Sequence, residues 1–184
     1  KKELEEADRD MLSSLEIDPD DAEANRIMGS MQREKGNFDA SIAHHRHAAE
    51  LCPSDLYISY KLCQVLMYDG RLEEASAELK RAKEINPTGS DLLFEIEGTL
   101  LFWNEDYFQC KTRLNQLKLP SPICSVFIAG ADYYLGEKQA AKERVQKIED
   151  DFAISVQKLF ARESYRTDEM KSKLAPLFPV RAVA

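Results

Sequence analysis

Three prolines stand at one spacing: Pro19, Pro53 and Pro87 are 34 residues apart (53 − 19 = 34; 87 − 53 = 34), each closing a helix-like segment. A fixed period of this length predicts an array in which every period is one supersecondary unit. Such a unit cannot bury its apolar face alone. Neighbours must stack, and stacking produces an extended curved surface in place of a single round core.

The two clearest periods share one design. In residues 22–55 a helix is predicted over 21–35 with Asp21 as its N-cap, and Gly36-Asn37 breaks it. Glycine takes the left-handed conformation that ends a helix at least cost. A second helix over 38–51 stops before Pro53, which biases Cys52 away from helix. Residues 56–89 repeat the pattern, with helices over 55–69 and 72–85 about a turn at Gly70. Small residues recur where paired helices must cross closely: Gly29 and Cys63 in the first helices, Ser41, Ala48, Ala75 and Ala82 in the second. Interaxial distance follows the side chains at the contact. Phe38 and Leu72, just after the turns, fill the space between units.

The elements Met28-Gly29…Gly36-Asn37-Phe38…Ser41…Ala48…Pro53 and Leu62-Cys63…Gly70-Arg71-Leu72…Ala75…Ala82…Pro87 resemble the tetratricopeptide repeat family. Asn25 and Ser59 stand where that family usually opens its first helix with an aromatic, and His45 and Leu79 replace the common Tyr or Phe partner. The resemblance implies an all-α fold, a right-handed superhelical solenoid of antiparallel helix pairs closed by a C-terminal helical cap. On this register the chain is a single solenoid: a half repeat over 1–20, repeats over 21–54 and 55–89, divergent repeats over 90–120 and 121–151, and a helical cap and tail over 152–184. The half repeat carries Ala7, Met11 and Ser14 on one face and lacks a partner helix. Together with a first residue other than Met, this leads us to expect a piece of a longer polypeptide. In the divergent repeats helices are predicted over 91–104, 107–117, 123–135 and 138–150, with Gly98, Cys110, Ala129 and Ala141 at the close contacts. The cap is predicted as one helix over 152–165 and a shorter one capped by Thr167 and ended by Pro176 and Pro179.

Composition removes several functions. The formal net charge of −8 argues against a nucleic-acid surface, which needs clustered cations to displace counterions. The longest apolar run, at Leu100-Leu101-Phe102-Trp103, is far below the roughly 18 residues of a membrane span. The opening Lys1-Lys2-Glu3-Leu4-Glu5-Glu6 lacks the apolar core of a signal peptide. Cys52, Cys63, Cys110 and Cys124 form no CxxC pair and read as free thiols of a reducing cytosol, with a Cys110–Cys124 disulfide as the alternative. His44 and His47 share a helix face at a spacing that suits a metal, but no further ligand is compelled. The reading adopted is that both face outward and His45 fills the aromatic slot. No phosphate-binding glycine loop, GxSxG elbow or HExxH occurs, and Glu73-Glu74 and Asp150-Asp151 sit on solvated faces. The expectation is therefore no enzyme, no cofactor and no metal.

The resemblance also assigns a binding surface, since first helices line the concave side of the family's solenoid. Its register selects Arg26, Ser30 and Arg33, then Tyr57, Tyr60, Gln64 and Met67, then Leu92, Glu95, Thr99 and Phe102, and last Ile123, Val126 and Tyr133. This line starts basic and becomes aromatic and aliphatic, as expected where a peptide or amphipathic helix docks. A clamp for a terminal carboxylate is not expected: its Lys and Asn places hold Arg26, Ser30, Lys61, Leu92 and Ile96. The expected function is a cytoplasmic bacterial scaffold binding a protein or peptide partner in this groove. The alternative is a regulatory or oligomerisation arm of a larger bacterial signalling enzyme or transcription regulator. Self-association through the N-terminal helix is a further expectation.

Overall fold

The structure is a computed structural model that describes residues 2–163 and 165–177, without the side chains of residues 2–8 and 10. Ala7's side chain and the expected stop at Pro179 therefore lie outside the described residues. The chain divides into two compact units, Lys1–Thr88 and Gly89–Ala184. The first contains α1 (Lys2–Ile17), α2 (Ala22–Glu34), α3 (Phe38–Leu51), α4 (Leu56–Tyr68) and α5 (Leu72–Ile85). The second contains α6 (Asp91–Trp103), α7 (Tyr107–Leu114), α8 (Pro122–Tyr134), α9 (Lys138–Phe152), α10 (Val156–Phe160), α11 (Asp168–Ser172) and a 3-10 turn at Ala175–Leu177. Among the described residues there is no strand, and no helix is long and apolar enough to cross a membrane.

In the first unit α2 pairs with α3 and α4 with α5, and α2 also touches α4. The Asp21 carboxylate accepts from the amides of Glu23 and Ala24, and Asp55 does the same for Tyr57 and Ile58, satisfying donors that a helix start leaves orphaned. The 34-residue proline register has a physical counterpart. Asn25, almost fully buried, donates through Nδ2 to the carbonyl of Pro19 at 2.8 Å. One period on, Arg81 donates to the carbonyl of Pro53 at 2.8 Å and to the buried Ser59 hydroxyl at 2.8 Å. The two polar replacements for the expected aromatic are thus both hydrogen-bonded, which is what their burial demands. His45 is 1% exposed and lies over Gly29, where a Cβ would meet its ring at 2.8 Å. The Ser41 hydroxyl donates to the Gly29 carbonyl at 2.6 Å across the same crossing.

In the second unit α6 pairs with α7 and α8 with α9, and α6 touches α8. Its core is aromatic: the Phe102 ring meets Trp103, Tyr107 and Phe127 edge-on at centroid distances of 5.3, 5.4 and 5.2 Å. Asp132 is fully buried and held by Lys111 at 2.7 Å and Arg144 at 3.1 Å. Burial pushes the thiols of Cys110 and Cys124 up to about 12, so both stay protonated, and all four cysteines are free.

Two expected helices change length. The helix expected over 107–117 stops at Leu114, where Leu117 instead donates its amide to the Leu114 carbonyl in a tighter turn. The single cap helix expected over 152–165 does not form. α9 runs on to Phe152, Ala153 turns left-handed at φ 50°, and Ser155 caps a new five-residue helix by accepting from the Lys158 amide. The Glu149 carboxylate holds the break by accepting from the Val156 amide at 3.0 Å.

Candidate functional site

The expected groove residues fall on both units and are taken one unit at a time. In the first unit Arg26, Ser30 and Arg33 are half-buried on α2, and Gln64 is half-buried on α4. Tyr57 is 42% exposed. Tyr60 and Met67, expected on the surface, are buried at 8% and 1% exposure, so they support the face from beneath. The Tyr57 and Tyr60 rings stack at 6.0 Å, which explains why only one of them meets solvent.

Cations lie on these rings. The Arg26 guanidinium is 5.0 Å from the Tyr57 centroid, and the Lys61 ammonium is 5.3 Å from Tyr57 and 5.4 Å from Tyr60. One level along, Arg33 lies 5.1 Å from the Tyr68 centroid. A ring face attracts a cation through its quadrupole, so each pair fixes the other's orientation. Lys61 donates to the Gln64 side-chain oxygen Oε1 at 3.3 Å, and Gln64 Nε2 donates to the Tyr60 hydroxyl at 3.4 Å. Glu23 accepts two hydrogen bonds from Arg26, which lower the Glu23 pKa and raise that of Arg26. The result is a ledge of guanidinium, ammonium and one open phenol ring, suited to carboxylates and apolar side chains. Lys61 and Tyr68 join it without having been selected for the groove. Tyr68 follows Tyr57 by 11 residues (68 − 57 = 11), about three helical turns, and that spacing was its signal.

The second unit is different. Leu92, Glu95, Ile123 and Tyr133 are half-buried, whereas Thr99, Phe102 and Val126 are buried at 6%, 0% and 0% exposure. These three are corrections to the expected surface. Phe102 is the centre of the aromatic core, and α8 is enclosed at Cys124 and throughout residues 126–132. Part of the enclosure is the chain's own C-terminal segment. Leu174, 0% exposed, sits over Gly130: a Cβ there would lie 2.6 Å from Leu174 Cδ2 and 2.7 Å from Phe102 Cε2. The Tyr134 hydroxyl donates to the Lys173 carbonyl at 2.6 Å. Lys173 in turn donates through Nζ to the Trp103 carbonyl at 3.4 Å and pairs with Glu105 at 2.9 Å.

Gly130 stands six residues before the turn glycine Gly136, as Ser30 stands before Gly36 and Gln64 before Gly70 (136 − 130 = 6; 36 − 30 = 6; 70 − 64 = 6). The C-terminal segment therefore lies on the same register line that carries the expected groove. Beside it, Tyr133 and Lys138, 5.6 Å apart, border a cavity of about 430 Å³ walled by Val145, Pro176 and Leu177.

His44 and His47 are held by polar neighbours. His44 Nδ1 is 3.0 Å from the Asn25 side-chain oxygen, and His47 Nε2 is 3.0 Å from Asp20. Burial lowers the pKa of His44, and burial with the nearby cations Lys61, Arg26 and Arg33 takes His45 down to about 3. Among the described residues no three metal-ligating side chains cluster.

Solved structures of similar architecture identify the fold. PilF from Pseudomonas aeruginosa superimposes with a TM-score of 0.67 at 17% identity, over 96% of this chain and 82% of that one. A thermophilic tetratricopeptide protein from Thermus thermophilus gives 0.66 at 18% identity, over 91% and 86%. YrrB, a tetratricopeptide protein with an unusual peptide-binding site, gives 0.57 at 16% identity, over 93% of each chain. The fold is that of the tetratricopeptide repeat proteins. No family model matches the sequence, and no curated protein matches it. The likeness is one of architecture.

Proposed function

We propose that this chain is a non-enzymatic interaction scaffold whose first unit holds a segment of a partner protein against α2 and α4. The observation that carries the reading is Tyr57, an exposed aromatic ring flanked by Arg26 and Lys61. Exposed aromatic and arginine side chains dominate the energetics of protein docking, because they bury much area at small entropic cost. The partner chemistry that fits is a segment with an apolar side chain for Tyr57 and carboxylates for the cations around it. The peptide-binding site of YrrB, on the same fold, supports a peptide ligand, and free thiols together with the two bacterial neighbours support a bacterial cytoplasmic setting. The acidic net charge supports a protein partner over a nucleic acid.

The test is affinity capture from the host organism with wild type and Tyr57→Ala, followed by titration of the captured partner. Truncating the anchor is expected to weaken binding by more than about 1 kcal/mol, roughly fivefold or more, with the melting temperature almost unchanged. Equal binding by both proteins would refute the docking face. A second reading, self-association through α1, is favoured by the exposure of Leu12 at 56% and Ile17 at 86%. Sedimentation as a monomer at high concentration would dispose of it.

A further inference from the structure

The second unit carries a groove that is already full. Its occupant is a short piece of the same chain: Lys173, Leu174 and the turn Ala175–Leu177, here called the strap. The strap is held in the manner of a bound peptide. Its main-chain carbonyl at Lys173 accepts from Tyr134, its Leu174 side chain drops onto a glycine, and its lysine reaches a helix-end carbonyl and a carboxylate. Gly130 has the role of a floor without a Cβ, which lets an apolar side chain approach the helix backbone.

The attachment is narrow. Leu174 and Leu177 are buried, whereas Asp168, Glu169, Lys171, Ser172, Ala175 and Pro176 are exposed. α11, which leads into the strap, spans five residues and buries none of them. A segment fastened by two apolar side chains and preceded by exposed residues belongs to the low-stability end of a protein, where local opening precedes global unfolding. The cavity next to Leu177 leaves room for a larger apolar group than the strap supplies.

From these observations we infer that the inner face of the second unit is a receptor for a peptide of Lys-Leu-x-x-Leu character, closed in the isolated protein by residues 173–177 acting as a displaceable internal ligand. An incoming segment of that chemistry gains the Gly130 floor, the Tyr134 hydroxyl and the Glu105 carboxylate only when the strap leaves. Its apparent affinity is therefore reduced by the fraction of time the strap is bound. The inference rests on the reading of the inner helix faces as docking surfaces, but concerns a different unit and different residues.

The experiment has two arms on the full chain. Native-state hydrogen exchange is read first: the strap amides are expected to exchange at least a hundredfold faster than those of α8. Exchange of strap and α8 together would make the strap a permanent part of the core and overturn the inference. In the second arm a labelled peptide with the sequence of residues 165–177 is titrated onto wild type, Lys173→Ala and Leu174→Asp. Both variants are expected to bind it at least tenfold more tightly than wild type, with Lys173→Ala serving as the gentle case should Leu174→Asp fold poorly. A folded Lys173→Ala that binds no better than wild type would also overturn it. Tyr57→Ala should leave this titration unchanged, so a failure here is separable from a failure of the first-unit docking face.

Discussion

The two units build their inner faces from helices of the same register, yet one face is open and the other is filled. Six residues before the turn, the first unit has Ser30 and Gln64, both half-buried, while the second has Thr99 and Gly130, both buried. Aromatic residues differ in the same sense. In the first unit Tyr57 is on the surface with cations over its ring, whereas in the second Phe102, Trp103 and Phe127 form a core. A repeat prescribes which residues can face inward, but whether they meet solvent depends on where the rest of the chain goes. At Gly130 the missing side chain admits Leu174 of the strap, which covers part of the second unit's inner face.

The sharpest way to break this comparison is to truncate one aromatic on each face. Phe102→Ala removes a ring that is 0% exposed and should cost about 3–5 kcal/mol, through lost burial and the cavity left behind. Tyr57→Ala removes a ring that is 42% exposed and should cost less than about 1 kcal/mol of stability, while weakening partner binding roughly fivefold or more. Urea unfolding followed by far-UV circular dichroism reads both sites, and the single tryptophan, Trp103, reports the second unit directly. Comparable losses at the two sites would mean that both faces are core.

A smaller difference should appear on acidification, because every histidine lies in the first unit. His45 is neutral in the folded chain, with its pKa lowered from 6.5 to about 3 by burial first and then by Lys61, Arg26, Arg33 and His44. Between these values the unfolded chain binds a proton that the folded chain refuses, so stability is full above pH 6.5 and declines as pH falls toward 3. From pH 7 to pH 5 the loss is about 2 kcal/mol at the linkage slope of about 1.4 kcal/mol per pH unit. His45→Phe, which restores the ring common at this place in the resembled family, should reduce the slope and leave the part that comes from His44. The transition seen by Trp103 should stay level over the same range. A wild-type first unit as stable at pH 5 as at pH 7 would show that the His45 ring reaches solvent.

What the sequence made legible follows the range of the interactions. Local signals sufficed for Asp21 as a cap, for the turns at Gly36 and Gly70, and for helices over 38–51 and 72–85, whose observed limits coincide with the expected ones. Each of these is decided by residues a few positions apart. The burial of Thr99, Phe102 and Val126 was not legible, because it belongs to long-range packing such as Leu174 on Gly130 (174 − 130 = 44). Periodicity carries no information about a tail that leaves the repeat. The break at Ala153 was missed for a related reason: alanine signals helix, and the left-handed turn is held by Glu149 and Ser155 from outside the residue itself.

The smallest effect probes the same contrast at one backbone position. The turns at Gly36, Gly70 and Gly136 have φ of 81°, 82° and 85°, and the corresponding turn after α6 places Glu105 at φ 66°. A side chain in the left-handed region is strained where glycine is not, so a backbone argument alone says that Glu105→Gly stabilises. The carboxylate, however, also pairs with Lys173 of the strap at 2.9 Å, an exposed contact of the kind that salt weakens. The two contributions are separable. Glu105→Gly should raise the melting temperature slightly while speeding hydrogen exchange in the strap, and Glu105→Gln, which keeps the strained backbone, should speed exchange without the rise. If neither variant changes strap exchange, Leu174, Leu177 and the bonds to Tyr134 and Trp103 hold the strap without the Glu105 pair. The non-glycine turn would then have no part in closing the second unit.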